Sequence, residues 1–584
     1  MKKMHFWLTV LFQLITSCAF TIISQAQTIN TNWSFQIGGL KDDRGIKVIQ
    51  DFNGNLYFAG IIEDEAYYSN SGVVDTISGF GKEDIIFGKL NSNGNILWLK
   101  LIGGRNIDDP TDITINIENE IYLSGIFKDT LYIGLDTIIS SDYIDSFVAK
   151  FDSLGNMLWV NQLAGLGNQQ CISLQSDIEG NLLSTGYFSK SIEFPPPYPG
   201  PYQAQGESDG FTAKWTSTGD LIWVNFIKGS GKSIVKDILM DANNDYYIIG
   251  DYTDSLAIGN SISNEFSYGK TDVFIIKYSN SGILSWAQTL GSINDDKAKR
   301  LTLGGNGKMI FIGEFKEDLK YNDDILLSSD GGDDIFQLTF NKNGHLQHRT
   351  KQGEEKNDFL FDAWVPVGQK ILMASDLRIN LENENTILAN YDILGNMSDV
   401  FLTGEDCNPT ILSAVMPTMD QIFICGTFHE TAIFNQVSLI SHGEEDFFII
   451  KMQIENETVL MMDGDSSDIP YHHMERAVEY DLYSDIGEVL LNQNTDYLFY
   501  NYPNPFKETT HIIYYVPETC DVLIQISNIN GQILKDLEFK KQSSGYHNQI
   551  FNGEQLEDGV YLCNFQMKAH SKLNTKRIKL IHIK

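Results

Sequence analysis

Cysteine is scarce in this chain, with six in 584 residues. Cys18 lies in an apolar N-terminal segment, which leaves Cys171, Cys407, Cys425, Cys520 and Cys563, an odd number with no pair at metal-ligand spacing. A disulfide scaffold and a thiolate metal site are therefore not expected. Either Cys520–Cys563 or Cys407–Cys425 pairs in an oxidising compartment, or these are buried thiols. Proline is rare too, 13 in all, and five of those fall between Pro195 and Pro201. Basic residues are outnumbered, 42 Lys and Arg against 77 Asp and Glu, for a formal charge of −35. The first 26 residues and the segment Leu498 to Lys584 are each about +2, so the middle carries about −39. Such a surface repels phosphate backbones, which are held by Lys and Arg contacts, so nucleic acid is a poor candidate partner. Cations, sugars and basic surfaces remain, and the acidity also keeps a large exported protein soluble. Beyond the N-terminus no run approaches the ~18 apolar residues of a membrane helix, and no transmembrane segment is expected.

What the N-terminus does contain is two lysines, an apolar run from about Phe6 and the small-residue end Ser24-Gln25-Ala26. That is the layout of a secretory signal peptide, residues 1–26, cleaved between Ala26 and Gln27. The competing layout, Ile15-Thr16-Ser17-Cys18, is that of a lipoprotein signal, but the apolar stretch runs on past Cys18.

The middle, 27–463, repeats itself, which outranks any domain count drawn from length. One line reads "KLNSNGNILWLKLIGG" from Lys89 and returns from Lys150, Lys214 and Lys277, with degenerate copies from Thr339, Asn390 and Lys451. A second reads "DFNGNLYFAG" from Asp51 and occurs seven times in all, the last as "PTMDQIFICG" from Pro417. Within a copy, short alternating runs such as "GIKVIQD" and "NLYFAGI" flank Asn-Gly turns, a hairpin signal. Four strands with two tight hairpins form a small antiparallel sheet that cannot bury both faces alone. Seven such sheets stacked radially would bury them, so the expected fold is all-β, a seven-bladed β-propeller. The tryptophan-type strand occurs an eighth time, as "NWSFQIGG" from Asn32, and this N-terminal strand is expected to help close the ring with the last blade.

Asp-x-Phe-x-x-Lys, Gly-Asn-x-x-x-Trp, Gly-Gly and Asp-x-x-Gly-Asn-x-Tyr-x-x-Gly together resemble the bacterial β-propeller repeats called SBBP repeats. Asp145 to Lys150, Asp272 to Lys277 and Asp446 to Lys451 carry the pattern, while the tryptophan is replaced by His348 and Asp399 in the fifth and sixth copies. The resemblance spans residues 32 to 463. It implies a propeller and leaves the activity open.

Catalytic and metal motifs are sparse. "KGSGKS" at Lys228 lacks the first glycine of a phosphate loop and opens no helix. His472 and His473 beside Glu475 have no ligand partner at helical or hairpin spacing. The Asp-x-x-Gly-Asn turns admit calcium, which prefers clustered oxygens, but as hairpin turns they need no ion, so the expected cofactor is none. The recurring Asp84, Asp145, Asp209, Asp272, Asp334 and Asp446 are expected to hold a turn by hydrogen bonds. One stretch, "SIEFPPPYPGPYQAQGESDG" from Ser191, breaks the repeat. It is either a spacer over a blade edge or a stiff binding loop presenting Tyr198 and Tyr202 to a glycan or peptide.

After a polar linker, 464–497, comes a separate module, 498–584, whose alternating runs suit a small Ig-like β-sandwich. It resembles the type A C-terminal sorting domain of the type IX secretion system of Bacteroidetes. The matching points are Tyr502-Pro503-Asn504-Pro505-Phe506, the Asn530-Gly531 turn, Gly559-Val560-Tyr561 and the basic-apolar end with Lys576, Arg577 and Lys579. Phe551 stands where the family usually has tryptophan. The resemblance implies inner-membrane export, recognition of the tail by the type IX machinery, and release or attachment at the cell surface. The expected function is a non-enzymatic adhesion or ligand-binding propeller. The alternative is an extracellular hydrolase acting on polysaccharide at the propeller channel.

Overall fold

The two repeated lines of sequence meet in space, and their meeting explains the residues they keep. The computed structural model describes residues 23–460 and 499–582 except for short internal stretches, of which 377–386, 403–409 and 503–508 are the longest. Every regular element among them is a strand. In the first repeat, Arg44–Gln50 and Leu56–Asn70 are joined by the turn of the second line. Asp51 Oδ1 accepts the backbone N–H groups of Asn53 and Asn55 at 2.9 and 2.8 Å, and Oδ2 accepts the Asn55 amide at 2.9 Å. This is an Asx-type turn, in which a short carboxylate replaces missing backbone partners. The lysine that ends the other line reaches the same turn: Lys89–Asp51 at 3.5 Å, Lys214–Asp177 at 3.1 Å and Lys277–Asp245 at 2.9 Å. Lys89, Lys214 and Lys277 are buried, so the turn carboxylates offset charges that water no longer solvates. Lys89 and Lys277 also lie over Tyr57 and Tyr247, 4.5 and 4.8 Å from the ring centroids, a cation–π contact.

Strand pairing groups the chain into successive four-stranded antiparallel units. The first consists of Arg44–Gln50, Leu56–Asn70, Val73–Leu90 and Ile96–Gly104. The later first strands are Asp108–Ile115, Gln169–Ser176, Ser233–Met240, Lys297–Leu303, Phe359–Trp364 and Thr410–Thr418. First strands of successive units touch, and Thr410–Thr418 returns against Arg44–Gln50, so the series closes on itself. The seventh unit has three strands of its own, Thr410–Thr418, Gln421–Phe434 and Val437–Leu460, and takes its fourth from the other end of the domain. The N-terminal strand Ile23–Gly39 pairs antiparallel with Val437–Leu460, from Ile23↔Leu460 to Ile37↔Phe447. Ala26 and Gln27 thus lie within this strand, opposite Glu457 and Asn456. The copy from Lys451 forms no new hairpin. It lacks the glycine turn found in the others and continues as strand.

Three devices recur at the boundaries between units. First, the hairpin between the second and third strands pairs with the end of the preceding unit's fourth strand: Gly38↔Tyr67, Gly103↔Tyr132 and Lys228↔Ala257. Second, the third-strand aspartates hold a turn, accepting N–H from Phe80, Ser141, Gln205, Tyr268, Asp330 and His442 at 2.7–3.1 Å. The Gly-Gly pair makes room for both features. A Cβ on Gly38 would lie 1.9 Å from the Asp446 carboxyl carbon, and one on Gly39 would lie 2.1 Å from the Glu65 carbonyl oxygen. Third, four of the repeat tryptophans donate their indole N–H to the next unit's last turn: Trp33 to Ser92 O, Trp98 to Ser153 O, Trp159 to Ser217 O and Trp286 to Lys342 O, at 3.1–3.2 Å.

The tail is described on its own. Phe499–Tyr502, Thr509–Val516 and Gly545–Asn552 form one sheet. Ile533–Gln542, Cys520–Asn528, Gly559–Ala569 and Lys572–His582 form another. The two share a core in which Ile512, Tyr514 and Phe551 of the first meet Ile524, Phe565 and Met567 of the second. Cys520 and Cys563 are separate buried thiols. They lie on adjacent strands but about six residues apart in register, roughly 20 Å, too far to bridge. Cys425 is likewise buried, and its candidate partner Cys407 falls outside the described residues.

Candidate functional site

The first strands share a distortion that the sequence does not announce. Each has a bulge near its start, and the residues after it are Lys47, Asp112, Ser173, Asp237, Arg300, Asp362 and Ser413. A bulge re-aims the side chain that follows it. Several of these residues link neighbouring units into a belt. Lys47 Nζ lies 3.5 Å from Asp112, Ser173 Oγ donates to Asp237 at 3.0 Å, and Arg300 lies 3.5 Å from the same carboxylate. The belt also satisfies backbone across the boundaries: Leu174 N donates to Asp112 and Leu301 N to Asp237, both at 2.8 Å. These acids are committed to holding units together.

Beside the belt, where strands begin in units four and five, lies a cavity of about 460 Å³. That falls in the usual range for a small-ligand site. Lys232, Lys270, Lys297 and Lys316 line it together with Asp251, Asp295 and Asp333. Four lysines converge here on a body of strongly acidic composition. Three have acidic partners: the exposed Glu207 at 3.0 Å from Lys232, the exposed Asp295 at 3.7 Å from Lys270 and the buried Glu314 at 3.3 Å from Lys297. Lys316 sits on the strand Met309–Tyr321, its backbone N–H pointing to Asp296 at 3.4 Å. Burial pushes the Asp251 carboxyl up to about 6, against the lowering effect of Lys236 and the Ala298 N–H. Beneath the cavity, burial raises Asp272 to about 7 and Asp296 to about 8, the charge of Asp272 adding to the latter.

The aromatic insertion takes the place that the boundary hairpin occupies elsewhere. Ser191–Ile192 and Tyr202–Gln203 pair, and Glu193 bridges back to Ala164 of the preceding unit. Tyr202 packs on Phe226 with centroids 4.7 Å apart, and Tyr198 donates its hydroxyl to Ile222 O at 2.5 Å. Both tyrosines are half-buried against unit three, and they are not brought to the lysine cavity. Among the sorting residues, Tyr502 lies on the first tail strand, Gly559 and Tyr561 on the third strand of the second sheet in chain order, and Lys576, Arg577 and Lys579 on the last strand. Tyr561 is buried in the sandwich core. Pro503, Asn504, Pro505, Phe506 and Gly531 lie outside the described residues, as do His472 and His473.

Comparison with known proteins places the tail most firmly. Residues 501–580 match the family described as a secretion system C-terminal sorting domain. Tails of this family mark proteins exported by the type IX route, so the protein is secreted or held at the cell surface. Elsewhere the chain is 25% identical over 241 residues to an uncharacterized WD repeat-containing protein of Acanthamoeba polyphaga mimivirus, covering 35% of this chain and 17% of that one. It is 25% identical over 195 residues to the regulatory protein FlaEY of Caulobacter vibrioides, covering 32% and 20%. The chain thus spans about a fifth of the length of these relatives. An apocarotenoid oxygenase of Synechocystis aligns over 68% of this chain and 87% of its own at 11% identity, with a TM-score of 0.35, too low to argue from.

Proposed function

We propose that this is an exported, seven-bladed β-propeller of the SBBP-like kind, followed by an Ig-like sorting sandwich. Its work is to hold an acidic glycan in the lysine-lined cavity between the fourth and fifth blades. The cyclic contacts of the first strands, the matched boundary devices and the similarity to a WD-repeat protein support the propeller. One observation carries the ligand class: four lysines face one cavity on a chain of net charge −35. Four ammonium groups outnumber the three lining carboxylates, which favours a carboxylated or sulfated sugar over a neutral or cationic ligand. The type IX tail puts such a site outside the cell, where acidic polysaccharides are met.

The test is calorimetry of the full chain with an acidic oligosaccharide such as hexagalacturonate. Lys316→Ala and Lys270→Ala are each expected to weaken binding about tenfold, and the affinity is expected to fall as salt rises. Binding of an acidic peptide with no glycan binding would overturn the glycan reading. The hydrolase alternative draws on the raised carboxyl of Asp251 in the same cavity. Release of reducing ends, lost in Asp251→Asn, would replace the binding reading with it.

A further inference from the structure

A second depression, of about 380 Å³, opens at the seam where the N-terminal strand of the seventh unit meets the first unit. Gln36, Tyr67, Tyr68, Asn93, Asn95 and His442 border it, and its described lining contains no lysine, arginine or carboxylate. The chemistry differs from the lysine cavity: rings, carboxamides and hydroxyls without net charge.

The imidazole in it is held in a defined state. Asp446, whose side chain is fully buried, lies 2.8 Å from His442 Nδ1 while the His442 side chain is 47% exposed. The same carboxylate accepts the Gln36 amide at 2.6 Å and the His442 backbone N–H at 3.1 Å. A carboxylate at this distance favours a proton on Nδ1, and in that neutral tautomer Nε2 is an acceptor. The ring of Tyr67 stands 6.1 Å from that of His442 at 41°.

The equivalent positions at other seams show what is particular here. Between units one and two the pair is Phe80 and Tyr132, 6.0 Å apart, and between units four and five it is Tyr268 under Lys320, at 5.8 Å. The boundary geometry is shared, and the substitution pattern turns one copy into a polar aromatic pocket. We propose that this seam pocket binds a short neutral oligosaccharide. The apolar face of a sugar ring lies on Tyr67, a hydroxyl donates to His442 Nε2, and the carboxamides of Asn93 and Asn95 border its other hydroxyls. This site is independent of the lysine cavity and of the ligand proposed for it.

The full chain is screened on an array carrying both neutral and acidic oligosaccharides, and the best neutral ligand is then titrated calorimetrically. Tyr67→Ala and His442→Ala are expected to weaken that ligand about tenfold or more. Tyr67→Phe, which keeps the ring, is expected to retain it, and Tyr132→Ala at the neighbouring seam to leave it unchanged. Circular dichroism identifies any variant that has failed to fold, and for such a variant Tyr67→Phe against His442→Gln supplies the comparison. An array with no neutral ligand, or neutral binding indifferent to both Tyr67 and His442, overturns the proposal whatever the acidic sugars do.

Discussion

Trp33 and Gly94 are in van der Waals contact, although one belongs to the N-terminal strand and the other to the last turn of the first unit. A Cβ on Gly94 would approach the indole to 2.8 Å, and the residue has φ +81. The same relationship recurs as Trp98 with Gly155 and Trp159 with Gly219. The clasp at the closing seam is therefore built like the internal boundaries, with the indole of one unit seated on the turn glycine of the next. Gly94→Ala meets both a steric and a conformational penalty. It is expected to cost about 1–3 kcal/mol, measured as a lowered urea midpoint, while alanine at exposed Gly72, where a Cβ meets nothing within 4 Å, isolates the conformational part.

Truncating Trp33 to alanine removes a large ring and an indole hydrogen bond from the seam. An expected loss of roughly 2–4 kcal/mol would appear as early unfolding in a thermal scan. Hydrogen exchange resolves where the opening begins: protection should fall first in Val437–Leu460 and Leu56–Asn70, the strands that flank Ile23–Gly39.

Buried acid pairs make stability depend on pH with a defined sign. Burial holds Asp108 at about 8, helped by the charge of Asp84, and Asp43 at about 7, with Asp446 contributing. Asp296 and Asp272 behave alike. An unfolded carboxyl releases its proton near 4, whereas these keep theirs in the folded state, so folding takes up protons between about pH 4 and pH 8. Their contribution is fully present below the unfolded value and is lost as pH rises through 7 to 8. Denaturant titrations at pH 6 and pH 8.5 should show the lower midpoint at pH 8.5, and Asp108→Asn should flatten that difference. A midpoint that rises over the interval would contradict the assignment.

Lys214 and Asp177 lie 3.1 Å apart with side chains 7% and 2% exposed. Lys214→Met leaves the carboxylate buried without its counter-charge and is expected to destabilise the protein by about 3–5 kcal/mol. The exposed pair Lys190–Asp142, with side chains 66% and 41% exposed, should lose less than about 1 kcal/mol on Lys190→Met.

Deleting Asn501–Lys584 removes the matched sorting tail and is expected to strand the protein in the periplasm. Fractionation and surface proteolysis decide it, and unchanged surface exposure would refute the role of the tail.

Much of the repeat region was legible because each repeated residue does a local job that recurs with its period. Asp51 builds a turn, Lys89 neutralises it, Asp84 holds a turn at the boundary and Gly38 makes way for Asp446. The strand that completes the seventh unit was harder to assign, because "KMQIENETVL" looks like one more copy until its missing glycine turn is weighed. Asp112 and Asp237 were not legible as a belt, since an acid after a bulge has no local signature and its partners are about 60 residues away. The lysines of the cavity are spread from 232 to 316 and resemble ordinary surface residues. Tyr198 and Tyr202 stood out by composition, yet composition could not tell that Phe226 and the Ile222 carbonyl would hold them.

The borrowed strand also makes the chain sensitive to truncation. The N-terminal strand touches the first unit at Ile37–Gly39, but its main ladder forms only with Val437–Leu460, more than 400 positions later, so the seventh sheet needs both ends of the domain. A chain interrupted before that point carries an open edge at both ends and no clasp. The sorting tail follows the closing strand in sequence, so truncation anywhere before Val437–Leu460 removes both the partner of the N-terminal strand and the address.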